Sequence, residues 1–175
     1  QNRLILGYGM TEFGTMTTLN MNVKDIVNES GTLLPYIEAK IVDPETNEIL
    51  GPNQKGIIKM SSPSFMREYL NNKEATDEFF ETDENGKLWG NTNDIAMYDE
   101  NGVYNVLGRS SDSFIDSKGK TVYLFEIEEL ISNNQYIKEC EVVPLTVDGK
   151  KVPVVHIIIE KKYSRYREMV IKNLN

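Results

Sequence analysis

Short apolar runs punctuated by clusters of Asp, Asn, Gly and Pro fill most of the chain, and they predict a series of short strands joined by turns. An apolar strand, Leu4-Ile5-Leu6, stands near the start and runs into Gly7-Tyr8-Gly9. Residues 38–42 (EAKIV) and 55–60 (KGIIKM) read as strands, with a turn over 43–47 (DPETN). Residues 72–80 (NKEATDEFF) predict a short surface helix capped by Asn71 or Asn72. Two later turns share four letters, Asp83-Glu84-Asn85-Gly86 and Asp99-Glu100-Asn101-Gly102. An Asn-Gly pair suits a tight hairpin because both residues tolerate positive φ, so each turn predicts a hairpin.

The pattern changes after Arg109. Residues 125–132 (FEIEELIS) have helical spacing, with Phe125, Leu130 and Ile131 facing a core. Residues 139–147 and 152–160 read as strands joined by Asp148-Gly149-Lys150, and residues 163–174 as an amphipathic helix with no stop signal after it. The second half is therefore expected to be a small, incomplete α+β unit, with its boundary in the polar stretch 108–112 (GRSSD).

Composition bounds the class. At 175 residues there is room for one domain or two small ones, and 39% hydrophobic with 26% charged residues is ordinary for a globular protein. The longest apolar stretch is too short for a membrane span, and no signal-peptide pattern opens the chain. Gln1 is not an initiator Met, so a piece of a longer protein is expected. A formal charge of -8, spread along the chain, argues against nucleic-acid or anionic-membrane binding, which need a basic footprint. The single cysteine, Cys140, leaves no internal disulfide and no Cys-rich metal site, which fits a cytoplasmic setting. The lone His156 lies in the strand-like VVHII and reads as a sheet residue, not a ligand or base.

Candidate chemistry concentrates in LILGYGMTEFG. Ligands in open α/β sheets sit beyond the carboxyl ends of strands, where this turn would lie. Gly7 and Gly9 would let backbone approach a flat ligand. Thr11 offers a hydroxyl to a phosphate oxygen, and Glu12 a hard carboxylate to Mg²⁺. The glycine spacing fits neither the dinucleotide fingerprint nor the Walker phosphate loop. Read alone, a strand followed by a glycine turn is usually just a turn.

GYGMTE resembles the Tyr-Gly-x-Thr-Glu signature of adenylate-forming enzymes: acyl-CoA synthetases, luciferases and peptide synthetase adenylation domains. Further blocks follow in that family's order between about residues 4 and 160: GTLLPYIEAKIVDPETNEIL, FMREYLNNKEATDEFF, LWGNTND, GVYNVLGRSSDSFI and FEIEEL. By this ordered set the chain is identified as a member of the AMP-forming branch. The resemblance implies a mixed α+β fold. Residues 1–108 would end a large α/β ATP-binding domain with a distorted antiparallel β-barrel, 109–112 would be a hinge, and 113–175 a truncated α+β cap.

The resemblance also implies roles. Tyr8 with the backbone of Gly7 and Gly9 would line an adenine pocket. Thr11 would contact the AMP phosphate and Glu12 would hold Mg²⁺, the two catalytic candidates. Asp94 would accept hydrogen bonds from the ribose hydroxyls, which suits an acceptor-only carboxylate. Arg109 would reach the nucleotide, Asp112 would be the hinge, and Gly119 would lie near an incoming thiol. There are departures. Gly56-Ile57-Ile58 replaces Gly-Glu-Leu, Ser62 and Glu68 replace glycines, and Thr92-Asn93-Asp94 replaces Thr-Gly-Asp. Because Asn tolerates positive φ, that last turn is expected to survive. The stretch from Asp112 to Gly119 is one residue longer than the family's, which bears on Gly119 and on any role for Lys118.

The reaction implied is carboxylate attack on the α-phosphate of MgATP, releasing pyrophosphate, then transfer of the acyl group to coenzyme A. Ligands would be ATP or AMP, Mg²⁺, coenzyme A and a small carboxylic acid. The family's phosphate loop falls upstream of these blocks and its catalytic Lys downstream, so the chain alone is expected to be inactive; Lys172 is given no role. Two alternatives stand beside this: an adenylation domain loading a carrier protein, and a non-catalytic strand-rich interaction module carrying relic motifs. Gly7 before the Tyr favours the acyl-CoA synthetase and luciferase side.

Overall fold

The computed structural model describes residues 5–21, 30–115, 119–147 and 150–174. Among these the fold is mixed α+β and rich in sheet, and every strand pairing is antiparallel. Among the described residues these antiparallel sheets do not close into a barrel. No described helix is long and apolar enough to cross a membrane. The chain divides into two compact units, Gln1–Arg109 and Ser110–Asn175.

The first unit holds two sheets. One has the order β1 (Leu6–Met10), β2 (Thr15–Asn20), β3 (Thr32–Leu33). The other contains β4 (Glu38–Val42), β5 (Gly56–Ser61), β6 (Phe80–Thr82), β7 (Leu88–Tyr98) and β8 (Tyr104–Arg109). Its order is β4-β5-β7-β6, with β8 also on β7. The expected strand at Leu4 to Leu6 ending in a glycine turn is corrected. Leu4 lies outside the described residues, and β1 starts at Leu6 and takes Gly7, Tyr8 and Gly9 into the strand. A bulge falls between Tyr8 and Gly9, and β1 pairs antiparallel with β2. A one-turn 3₁₀ segment, Thr11–Phe13, connects the two strands.

The core of this unit gathers Phe13, Ile41, Ile58, Met60, Phe79, Ala96 and Tyr104. Burying each large side chain contributes about 2 kcal/mol. Phe13 is the pin that fastens the 3₁₀ segment, its ring 5.2 Å from Phe65 and 5.8 Å from Phe79. Helix α1 (Lys73–Phe79) starts where the Asn72 side chain accepts the Ala75 N–H, so the cap is Asn72 and not Asn71. Lys59 is only 6% exposed, yet its ammonium donates to Asn47 (2.7 Å) and to Glu81 (2.5 Å), whose second oxygen pairs with Lys40 at 3.1 Å. Burial pushes the Glu81 carboxyl up, but the two lysines outweigh it and hold the group below its usual range.

Both DENG turns form hairpins, though not of the expected kind. Only Gly86 and Gly102 have positive φ; Asn85 and Asn101 do not. Aspartate governs these turns. Asp83 Oδ1 accepts the N–H groups of Asn85 and Lys87, and Asp99 Oδ1 accepts those of Asn101 and Val103. A side-chain acceptor supplies the closure that two left-handed residues would otherwise provide.

In the second unit, β9 (Ser113–Ile115) pairs with β10 (Thr121–Tyr123), and α2 (Leu124–Ser132) follows. A long hairpin, β11 (Ile137–Val147) with β12 (Lys150–Ile159), leads into a 3₁₀ stretch, Lys161–Tyr166, and α3 (Arg167–Leu174). Asp148 and Gly149 of the expected turn lie outside the described residues. The predicted final helix is thus 3₁₀ over residues 163–166 and α-helical from Arg167. Helix α2 starts one residue earlier than expected, and the i, i+3, i+7 spacing puts Leu124, Ile127 and Ile131 on one face; Leu124 and Ile131 are buried while Leu130 is 76% exposed. The inward assignment of Leu130 is corrected, and Phe125 stacks on Tyr123 at 5.5 Å. Glu128 ties the helix to the hairpin by accepting the Val142 N–H at 2.7 Å.

One backbone crossing laces the two sheets of the first unit together. Ser30 N–H donates to the Tyr104 carbonyl, Tyr104 N–H returns to the Gly31 carbonyl, and the Thr18 hydroxyl donates to the Ser30 carbonyl. At Gly31 φ is 98°, and a Cβ there would lie 2.1 Å from the Leu19 carbonyl carbon. Gly86, with φ 78°, has open space around it. Gly31→Ala should therefore cost about 3 kcal/mol or more, against about 1 kcal/mol for Gly86→Ala. Urea unfolding followed by the fluorescence of Trp89, the only tryptophan, measures both. Equal losses would contradict the crossing as the cause.

Candidate nucleotide site

The site is built around an irregularity in β7. Lys59 of β5 pairs with Asn91 and Ile57 with Ile95, so Ile58 alone faces Thr92, Asn93 and Asp94. Such a bulge leaves backbone groups without ladder partners. The Thr92 hydroxyl replaces them, donating to the Ile58 carbonyl at 2.8 Å and accepting the Asp94 N–H at 3.0 Å. Asn93 takes φ 56°, and its N–H donates to the Asn91 side chain at 3.0 Å. The left-handed residue expected at this position is present, within a strand instead of a turn.

The bulge turns Asp94 toward two partners. Its carboxylate accepts the Tyr8 hydroxyl at 2.5 Å on one oxygen and pairs with Arg109 at 3.1 Å on the other. Arg109 stands opposite Asp94 in the β7–β8 ladder and also donates to the Thr92 carbonyl at 3.1 Å. Asp94 is only 6% exposed, and burial pushes its carboxyl above the ordinary range, with the Tyr8 hydrogen bond and the Arg109 charge opposing. Burial and the neighbouring Asp94 carboxylate raise the Tyr8 phenol well above its usual value.

Glu12 sits on the 3₁₀ segment beside this group. Its carboxylate accepts the Tyr69 hydroxyl at 2.7 Å, and its backbone carbonyl accepts the Met66 N–H at 2.8 Å. Burial and Glu12 push the Tyr69 phenol up to about 12. Thr11, Glu12, Tyr69, Asn91, Asn93 and Arg109 all line one cleft of about 450 Å³. A neighbouring hollow of about 480 Å³ is lined by Gly7, Gly9 and Thr11. A Cβ on Gly7 would meet the Met16 sulfur at 2.3 Å, so a flexible side chain covers that glycine.

Among the described residues no group of three or more His, Cys, Asp or Glu could hold a metal ion alone. Thr11 and Glu12 line the same cleft, and a carboxylate with a hydroxyl is a donor set that suits Mg²⁺, which keeps few protein ligands and completes its shell with phosphates and water. Tyr8, Asp94 and Arg109 are thus joined by direct bonds, and Thr11 and Glu12 share the Arg109 cleft. Asp112 and Gly119 belong to the second unit. The Asp112 carbonyl accepts the Leu124 N–H at 2.9 Å, and Gly119 has φ 81° with nothing near its Cα substituent position.

Residues 1–70 match the model of the family described as AMP-binding enzyme. A probable 4-coumarate–CoA ligase of Dictyostelium discoideum is 35% identical over 94% of this chain and 29% of its own length. A luciferin 4-monooxygenase of Photuris pensylvanica is 30% identical over 95% of this chain and 30% of its own. Among solved structures, an ATP-bound RpMatB–BxBclM chimera superposes with TM-score 0.81 at 27% identity, covering 98% of this chain and 33% of the other. The chain belongs to the adenylate-forming enzyme superfamily. It spans about three-tenths of the length of these two curated relatives. The residue-level expectations give no role to Thr92 or Tyr69, whose hydroxyls hold the β7 bulge and the Glu12 carboxylate. Both lie inside quoted blocks, LWGNTND and FMREYLNNKEATDEFF, but nothing local marks a hydroxyl as the closure of a bulge or a phenol as a carboxylate's partner.

Removing the Arg109 charge tests the electrostatics. In Arg109→Gln the titration midpoint of Asp94, followed by carboxyl ¹³C NMR, should move further upward, because the remaining opposing interaction is the Tyr8 hydrogen bond. An unchanged or lower midpoint would show that the ion pair is not felt.

Proposed function

We propose that the chain is the nucleotide-holding portion of an ATP-dependent, AMP-forming ligase that activates a small carboxylic acid, of the acyl-CoA synthetase type. The observation that carries this reading is the Tyr8–Asp94–Arg109 group fixed at the β7 bulge, next to a cleft that Thr11 and Glu12 line. An ionised carboxylate only accepts hydrogen bonds, and the vicinal hydroxyls of a ribose are donors, so Asp94 would orient the sugar. Tyr8, with the backbone of Gly7 and Gly9, would bound the adenine. Thr11 would donate to the α-phosphate, and Arg109 would offset negative charge on the nucleotide. Glu12 would hold Mg²⁺, whose chemistry when bound is to neutralise charge developing on the phosphates.

In this reading the chain's own part in the first step is positioning and charge stabilisation. The substrate carboxylate attacks the α-phosphorus, the bond to pyrophosphate breaks, and Thr11 and Arg109 hold the phosphoryl oxygens. The acyl group then passes to a thiol, coenzyme A in our reading, with Asp112 as the hinge and Gly119 along the thiol path. The single cysteine suits a cytoplasmic enzyme. A carrier-protein acceptor is the second reading, disfavoured by the Gly7-Tyr8-Gly9 form of the motif.

In the full-length protein, Asp94→Ala and Glu12→Gln should each lower acyl-adenylate formation by about a hundredfold or more. The chain by itself should release no pyrophosphate from MgATP with any acid. Undiminished adenylate formation in both variants would overturn the site, and pyrophosphate release by the chain alone would overturn its dependence on further segments.

A further inference from the structure

We propose that Tyr69 is the positioning residue for Glu12: its phenol holds one carboxylate oxygen and thereby presents the other to a metal–nucleotide ligand. The inference rests on the reading of Glu12 as the metal carboxylate. Glu12 lies on a three-residue 3₁₀ segment, too short to fix a side chain by itself. Arg109, a cation that lines the cleft, is engaged by Asp94 and Thr92 instead. Among the described residues the Tyr69 hydroxyl, at 2.7 Å, is what restrains the Glu12 carboxylate.

Tyr69 is itself firmly placed. Its N–H donates to the Thr76 hydroxyl at 3.0 Å, and that hydroxyl donates to the Asn72 carbonyl at 2.9 Å, in the first turn of α1. Its ring packs edge-on against Phe79 at 6.2 Å. The same loop grips the Glu12 backbone through Met66. Helix α1, its capping turn and the aromatic core therefore all converge on one carboxylate. A hydrogen-bonded partner of this kind lowers the cost of ordering a metal ligand and fixes which oxygen is offered.

Tyr69→Phe removes one oxygen and keeps the ring against Phe79, so the fold is retained. In the full-length protein, Mn²⁺ bound in the presence of ATP is read by electron paramagnetic resonance, and ATP affinity in EDTA is measured separately. Tyr69→Phe should weaken Mn²⁺ binding by about ten- to a hundredfold, leave metal-free ATP affinity unchanged, and add nothing when combined with Glu12→Gln. Wild-type Mn²⁺ affinity in Tyr69→Phe, with a loss in Glu12→Gln, would overturn the positioning role while leaving Glu12 as ligand. No loss in either variant would overturn the Glu12 reading. An equal loss of metal-free ATP affinity would reduce Tyr69 to a structural part of the cleft wall.

Discussion

The structure of the first unit turns on β7, which must pair with β5 along one edge while β6 and then β8 occupy the other. Its register with β5 is not that of a regular strand. The mismatch is absorbed at Thr92-Asn93-Asp94, where three residues face the single Ile58. A hydroxyl, not a backbone amide, satisfies the stranded carbonyl, and Asn93 accepts the left-handed conformation. The consequence is a carboxylate almost wholly withdrawn from water, yet directed at Tyr8 and Arg109. Burying it without partners would cost several kcal/mol. The two partners are therefore a condition of the bulge as much as of any ligand.

The second structural theme is the way apolar packing reaches the polar cleft. Phe13, Phe65, Phe79 and Phe80 form a cluster of tilted and edge-on rings that fastens the 3₁₀ segment carrying Thr11 and Glu12. The loop between β5 and α1 contributes both to that cluster and to the bonds on Glu12. Precise placement of a carboxylate on so short a segment follows from the core behind it.

Much of this could be read from the residues. The strand at Glu38–Val42, the helix at Lys73–Phe79 and the two hairpins are local patterns with local causes: period, a capping Asn, a turn Asp. Asp94, Tyr8 and Arg109 were found through ordered blocks, because their sequence separation of 86 between Tyr8 and Asp94 leaves no local trace. Three expectations differ from the structure, each for its own reason. Gly7 and Gly9 suggest a turn by propensity, but pairing with β2 draws them into a strand. Leu130 has the right chemistry for a core but lies off the face of α2 that buries Leu124 and Ile131. The Asn-Gly pairs suggested two left-handed residues, and the preceding Asp made one sufficient. Sheet pairing decided the first case, helix phase the second and a local side-chain acceptor the third.

The central claim is that the Tyr8–Asp94–Arg109 group at the β7 bulge receives the sugar of an adenine nucleotide. A crystal structure of the full-length protein with AMP tests it most directly. Both ribose hydroxyl oxygens should lie within about 3 Å of the Asp94 carboxylate, with the phosphate toward Thr11. A nucleotide bound with its ribose away from Asp94, while the Asp94–Arg109 pair stays intact, would contradict it.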